Sequence, residues 1–402
     1  MRNGQDIAGH LQALAAFLRR HQALWEPAPL HHPSPGWMVA HPTLARWCEH
    51  QQSAGPEAAE TAWQQGDLPD DAPAVLQELV AESQRITDLP ALSKVMSSAD
   101  RPRRVRARKW AQVVGAAAVM AEETAEMRVV DWCGGKGHLG RRLAERGRRK
   151  LLLIDRQADL LDAGQVEGRA LGIQVDTVCA DVLNDDSPVS EVGPGDALVA
   201  LHACGDLGAR ALALATRSGL GVLGHAPCCW VRTSMEQTRG ASRAGRGCGL
   251  HLDAEALRLS TADEGWGPPR RRALRRRALA WRLGLDLLVR QVTADRRYTP
   301  VRMVPRSWLG DDFTTFVDRV ARRDGLPLPA SWSAELTERQ GLQAARRVRA
   351  LGLVRAPFRR PLEVWLVLDR AQTLVEAGWQ VEVGTFCASS ATPRNLWIRA
   401  RR

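Results

Sequence analysis

"VVDWCGGKGHLG", residues 129–140, is the stretch whose reading decides the fold. An apolar run breaks off at Asp131 into four glycines, Gly134, Gly135, Gly137 and Gly140, with Lys136 among them. A strand ending at Asp131 and a helix starting near His138 would put bare backbone at a helix N-terminus, where a ligand can approach the main chain closely. Working outward, "MRVVDW", "KLLLID", "IQVDTVC", "DALVAL" and "LGVLGH" are short apolar segments bounded by turn residues. Amphipathic stretches such as "QADLLDAGQVEGRALG" and "DLGARALALATR" separate them, and this alternation predicts an α/β fold, a parallel sheet with helices on both faces. Near the C-terminus, "WQVEVGTFC" and "NLWIRA" are joined by a link too short for a crossover helix. These last two strands must therefore run antiparallel to each other. Five parallel strands plus a terminal antiparallel hairpin is a Rossmann-like inventory, whereas a nicotinamide-binding domain would carry a sixth parallel strand.

The flanking regions have other characters. Residues 1–103 are polar and helical in flavour, with Pro-rich loops at "EPAPLHHPSPGW". From Val105 a helix is expected, because Trp110, Val113, Val114, Ala117 and Met120 recur at helical spacing and form one apolar stripe. The sheet-forming domain then spans 104–230 and 362–402. A basic helical insertion, 231–361, separates its two parts. It opens with "RTSMEQTRGASRAGRGCG", which reads as a mobile Arg/Gly-rich loop, and continues into "PPRRRALRRRALAWRLGLDLLVR". In the second segment Arg270, Arg271, Arg272, Arg275, Arg276 and Arg277 spread over more than one helix face, while Ala273, Leu274, Ala278, Leu279 and Trp281 are expected to pack inward.

At 402 residues with 45% hydrophobic content the chain can bury a sizeable core. No apolar run is long enough to span a membrane, and Gln and Arg interrupt the first apolar patch, so neither a secretory signal nor a membrane anchor is expected. Eight cysteines without a CxxC pair point to reduced thiols and a cytoplasmic protein. The net charge of +11 suits an anionic partner such as RNA, with the arginine-rich insertion as its contact surface. A solvated basic surface and a general skew toward arginine account for the same composition. That skew makes Lys136 informative, since Lys94, Lys109, Lys136 and Lys150 are the chain's only lysines.

The acidic residues at the strand ends narrow the ligand. Asp155 closes the second strand roughly 20 residues past the glycine turn, where a carboxylate can accept both hydrogen bonds of a ribose diol. Asp181 follows the third strand in "VCAD", in place to receive an adenine amino proton. Gly135 and Gly137 form the bare turn, and Asp131 would face a cationic group. A nucleoside with a positive end and no phosphate fits such a set, and S-adenosylmethionine has that character. Lys136 would pair with its carboxylate. Alternatively, Asp155 and Asp181 merely cap the turns that follow them.

"VVDWCGGKGHLG", "ALHACGDLGARAL", "GHAPCCW" and "TPRNLWIRA" together resemble a branch of the class I S-adenosylmethionine-dependent methyltransferases that includes the methyltransferase-like protein 25 group and its bacterial relatives. The resemblance covers residues 105–230 and 362–402. It implies the class I methyltransferase sheet, S-adenosylmethionine as cofactor, and a cofactor site that also includes Cys133, Leu201 and His202. "HACGD" and "PCC" are similar, more loosely, to motifs of tRNA 2′-O-methyltransferases, which implies a tRNA or rRNA substrate. Two departures stand out. Cys133 occupies the position of the usual first glycine, which is tolerable if it keeps negative φ, and Ala111-Gln112 follows Arg108-Lys109 where His-Glu is expected.

In an open parallel sheet the substrate lies beyond the carboxyl ends of the strands, so "LHACGD" and "APCCW" face the reacting methyl group. His202 is the candidate proton acceptor, with Asp206 as its orienting partner or as the base itself. It can equally be a histidine satisfied by a strand-end carbonyl. Cys204, Cys228 and Cys229 converge on the same rim as nucleophiles, as metal ligands with His202 and His225, or as small apolar wall residues. Packing is preferred and no metal is expected, because adjacent Cys228-Cys229 lacks the usual two-residue spacer. Pro227 and Trp230 either frame a planar acceptor or belong to the core. Two readings from other classes remain: a non-catalytic RNA-binding scaffold with a degenerate cofactor pocket, and a nicotinamide-dependent oxidoreductase.

Overall fold

A computed structural model describes residues 4–402 apart from 66, 94–100, 103–104, 148–149, 235–236, 263–266, 294 and 296. The boundary expected between 103 and 104 falls outside the described residues. Seven strands form the main sheet: β1 Arg128–Trp132, β2 Lys150–Asp155, β3 Gln174–Cys179, β4 Asp196–Leu201, β5 Val222–Ala226, β6 Gln380–Thr385 and β7 Leu396–Arg401. Their order is β3-β2-β1-β4-β5-β7-β6. The first five are parallel, β7 lies antiparallel to β5, and β6 antiparallel to β7. The terminal hairpin thus takes the place of a sixth parallel strand, as the short link between its strands requires.

The strands read as continuous apolar runs because both faces of the sheet are covered. Val129, Leu151, Leu153, Val175, Ala197 and Val199 share one core with α2 (Ala107–Thr124), α3 (His138–Arg146) and α4 (Ala158–Arg169). The expected stripe of α2, from Trp110 through Met120, is buried throughout. Two further helices of this unit are α5 (Asp206–Arg217) and α9 (Arg359–Glu376); α9 packs against β6, β7 and α5. Helix α1 (Gly4–Arg20) buries Ile7, Leu11, Leu14 and Leu18, at helical spacing, and packs on α9. The outer edge of β6 is covered: Thr385 N donates to Pro90 O and Leu92 N donates to Thr385 O, which removes a template for edge-to-edge pairing.

Two compact units emerge, one of residues 1–20, 85–261 and 359–402, the other of residues 21–84 and 262–358. This partition cuts across the sequence-based division, joining most of the N-terminal region to most of the insertion. The second unit includes the helices α6 (Pro269–Thr293), α7 (Phe313–Asp324) and α8 (Ala334–Arg355). Trp281, Leu285, Leu288, Phe313, Phe316, Val317 and Val320 form the core there. Arg349 of α8 binds Glu60 through two nitrogens, at 2.7 and 2.6 Å, and Glu57 through a third at 2.8 Å. The inward set of α6 needs one correction: Leu274, Ala278, Leu279 and Trp281 pack inward, but Ala273 is exposed. No described helix is long and apolar enough to cross a membrane.

The segment expected to be a mobile Arg/Gly-rich loop is built into the first unit over its described residues. Gln237–Thr238 pairs with Leu252–Asp253 in a short antiparallel ladder, and Arg243–Gly247 is helical. Asp369, 4% exposed, accepts from Ala241 N at 2.6 Å, Ser242 N at 3.1 Å and Ser242 Oγ at 2.7 Å. Glu376 accepts from Arg243 N and Ala244 N. Two carboxylates of α9, more than a hundred positions away, thus serve the amides at the start of the small helix, where anions are favoured. Replacing Asp369 by Ala strips partners from several buried donors and is expected to cost about 2–4 kcal/mol. Hydrogen exchange at residues 237–248 should accelerate in the variant; unchanged protection in this segment would show that the anchor is elsewhere.

Candidate functional site

The turn after β1 is held from beneath by Asp131. Its carboxylate, 2% exposed, accepts from Gly140 N at 2.9 Å, and a Cβ added at Gly134 would fall 2.4 Å from its Cγ. The expectation that Asp131 faces a ligand's cationic group is therefore corrected: its side chain lies under the turn and fixes it to the sheet. Burial is the main force raising its pKa, to about 6, with Gly140 N, Lys109 and Arg141 acting in the opposite sense. Above it, Cys133, Gly135 and Gly137 all adopt left-handed conformations, with φ of 53°, 56° and 67°. Cys133 does not keep the negative φ expected of it, and a non-glycine residue in this region costs roughly 1–2 kcal/mol.

The turn glycines have different surroundings. A Cβ at Gly134 or Gly140 would strike Asp131, and one at Gly137 would lie 2.3 Å from Leu153 Cδ2. At Gly135 the nearest atoms are Leu160 Cδ1 at 3.5 Å and Asp155 Oδ2 at 3.9 Å. Gly135 is thus the member of the four at which a Cβ would meet only ordinary van der Waals contacts and no clash. Asp155 Oδ2 accepts from Gly135 N at 2.9 Å and Oδ1 from Gln157 N at 3.1 Å. A carboxylate has about four acceptor sites, so these bonds orient Asp155 without exhausting it. Asp181 accepts from Leu183 N and Asn184 Nδ2, capping its turn. Lys136 is half-buried in the turn. Its neighbour His138 is pushed down to about 4, first by burial and then by Lys109 and Arg141.

At the end of β4, Leu201 is half-buried and His202 is exposed, with a left-handed φ of 69°. Protein around the imidazole lowers its pKa, and Lys109 and Arg394 add to the effect while Cys229 opposes it. Its Nδ1 lies 3.5 Å from Cys228 Sγ. Asp206 does not orient it: the carboxylate accepts from Thr233 Oγ1 at 2.8 Å and Ser234 N at 2.7 Å. Those bonds hold Asp206 below the usual carboxylate range against the upward push of burial. The expected His202–Asp206 pair is replaced by a link between the two loops. Asp206 N donates to Arg232 O at 3.0 Å, and a Cβ at Gly205 would overlap that same oxygen.

Cys204 and Cys228 place their sulfurs 3.0 Å apart, Cys228 and Cys229 theirs 3.9 Å apart, and all three sulfurs lie within 4.8 Å of one another. His225 is not among them. It is fully buried, its Nδ1 lies 3.1 Å from Ala200 O, and burial and Arg370 push its pKa down to about 3. Trp230 is 5% exposed and lies beneath the Arg370 guanidinium at 4.5 Å, so it belongs to the core and is not open to stack on a base. Pro227 is likewise buried.

Three cations were not assigned in the sequence. Lys109 sits close enough to Asp131, His138 and His202 to influence all three. Arg370 donates to Gly205 O at 2.8 Å, and burial lowers its pKa to about 10. Arg394 acts on both His202 and Cys229. Each had a signal: Lys109 is one of four lysines, Asp369-Arg370 interrupts an apolar helix, and Arg394 lies inside "TPRNLWIRA".

Residues 107–235 match a family model described as a methyltransferase domain. Among solved structures, the chain is similar to the 23S rRNA methyltransferase ErmE at 14% identity and a TM-score of 0.24, over 62% of this chain and 99% of that one. It is also similar to coclaurine N-methyltransferase bound to N-methylheliamine and SAH, at 8% identity and a TM-score of 0.28, over 97% of this chain and 98% of that one. Likenesses this remote carry no argument about this chain. Comparison with curated proteins gives no match. The family match and the strand order together define a methyltransferase domain, whose cofactor is S-adenosylmethionine. The residues present suit that group: a turn at Gly135 without side-chain clashes, and Asp155 held beside it with acceptor capacity left.

The pKa of Asp131 yields a test. Folded, it takes up its proton near pH 6; unfolded, near its ordinary value of 3.8. Between those values the folded state binds more protons, so stability falls as pH rises through the window. Asp131→Asn keeps an oxygen for Gly140 N and loses the charge. Urea melts at about pH 4 and about pH 7 should show the variant gaining on the parent by roughly 2 kcal/mol at the higher pH; a pH-independent difference would refute the assigned shift.

Proposed function

We propose that this protein is a cytoplasmic methyltransferase that transfers the methyl group of S-adenosylmethionine to RNA, either tRNA or rRNA, and that it falls in the branch resembling the methyltransferase-like protein 25 group. The observation that carries the donor reading is the turn at Gly135, where a Cβ would meet no clash and where Asp155 binds the backbone N–H. Bound there, the cofactor supplies an activated methyl group for in-line displacement. Asp155 would accept from the ribose hydroxyls, Asp181 would lie toward the base, and Lys136 toward the carboxylate, with Gly137 letting the backbone bend between them. Cys133 and Leu201 would line the same pocket.

His202 would take a proton from the methyl acceptor. Its lowered pKa keeps the imidazole neutral, hence able to accept, at neutral pH. Asp206 positions the loop instead of acting as the base, and Cys228 and Cys229 stand beside His202 at the rim. The RNA reading is supported by the net charge of +11 and by Arg270, Arg271 and Arg277, exposed on α6. The other arginines of the run contribute less, since Arg276 faces Glu57 at 4.0 Å, and even Arg277 donates to Leu309 O.

Calorimetry with S-adenosylhomocysteine should show binding that Gly135→Arg abolishes by placing a long side chain at the turn; retained affinity would displace the pocket. His202→Ala should leave that affinity unchanged and lower single-turnover methyl transfer about 100-fold or more. RNA binding with steep salt dependence but no transfer by the parent protein would instead identify a non-catalytic RNA-binding scaffold. Mass spectrometry of total RNA from cells lacking the protein should reveal one missing methyl group.

A further inference from the structure

We infer that Cys204, Cys228 and Cys229 form a zinc site that fastens the loop after β4 to the loop after β5. The inference does not depend on the identity of the methyl acceptor or on donor binding. Three observations lead to it.

The first is convergence. Zinc held by thiolates at about 2.3 Å in tetrahedral geometry needs sulfurs roughly 3.8 Å apart. Cys228 and Cys229 lie at 3.9 Å, all three sulfurs fall within 4.8 Å of one another, and the Cys204–Cys228 pair, at 3.0 Å, has to open by about 0.8 Å to share a metal. Adjacent cysteines in a strand would point to opposite faces, but β5 ends at Ala226 and the chain has left strand geometry before Cys228. The missing spacer, which argued against a metal in the sequence, is therefore no obstacle. Wall residues chosen for packing alone have no reason to aim three sulfurs at one point, two of them on half-buried residues.

The second is charge. Zinc with three thiolates carries one net negative charge, and the cluster lies among Arg370, Arg232 and Arg394. Arg370 is deeply set, with Nη2 bonded to Gly205 O and Nη1 buried without a hydrogen-bond partner. Asp369 and Asp206 already act on Arg370 as counter-charges, and an anionic metal–thiolate cluster would add a further one on the side of the two loops.

The third is strain. His202 holds a left-handed φ, and Cys204 Sγ donates to its carbonyl oxygen at 3.1 Å. A non-glycine residue in that conformation must be held by its surroundings; on metal binding the Cys204 thiolate gives up this hydrogen bond, and its bond to the metal would hold the loop instead. Binding converts three thiols to thiolates, releasing up to three protons to solvent, with water completing the fourth position. No electrons move.

The test uses the full chain purified under reducing conditions without chelator. Elemental analysis should find about one zinc per chain. After chelation, cobalt(II) should restore a thiolate-to-cobalt charge-transfer band with the intensity of three sulfurs and the visible bands of tetrahedral cobalt. Cys204→Ser, Cys228→Ser and Cys229→Ser should each lower the metal content, while Cys179→Ser, outside the cluster, should retain it. Should a serine variant fail to fold, the cobalt titration of the parent protein still decides. A parent chain that holds no zinc and shows no thiolate–cobalt band would overturn the site. So would equal cobalt binding by all four variants, or a Cys204–Cys228 disulfide in the freshly purified, alkylated protein.

Discussion

The buried carboxylate of Asp131 is the constraint on which the site depends. It sits at the end of a central strand, where a charge is costly, and it accepts a hydrogen bond from Gly140 N at the start of α3. That bond ties strand to helix across nine residues and leaves little choice for what lies between: side chains at Gly134 or Gly140 would collide with the carboxylate itself. The glycines are thus of two kinds. Most make room for the protein's own Asp131 and Leu153, whereas a Cβ at Gly135 would clash with neither.

The sheet was legible because both of its faces are covered, so each strand shows as an apolar run, and because a link too short for a helix dictates an antiparallel hairpin. The geometry of the site was less so. Asp131, Asp155 and Asp181 look alike in sequence, each an acid closing a strand, yet one lies beneath the turn, one is bonded to Gly135, and one caps its own loop. Their difference arises from which backbone amides are close by, and those amides come from other elements. The segment around Ser242 misled for a related reason. Its Arg/Gly composition offers no apolar anchor, and the anchors that hold it, Asp369 and Glu376, belong to a helix that reads as core.

Charge counting gave a similarly incomplete picture of the basic insertion. The six arginines at the start of α6 appear as a uniform patch, but the fold uses some of them internally: Arg276 faces Glu57, and Arg277 reaches Leu309 O and lies 5.5 Å from the Trp281 ring. Arginine's apolar stem and planar head let it serve as a packing residue and a cation at once. A net charge of +11 is therefore an upper bound on what the surface offers a phosphate backbone.

Strain and topology converge on one place. Cys133 and His202 are the two non-glycine residues with positive φ among the described residues. They follow β1 and β4, which are neighbours at the point where the strand order reverses direction, and that reversal opens the crevice in which α/β sheets bind their ligands. Strain of this kind persists only where rigid surroundings enforce it. Here β1 and β4 are almost wholly buried and registered against each other from Arg128–Asp196 to Asp131–Val199. A central pair of strands that rigid can hold two unfavourable backbone turns at its tips.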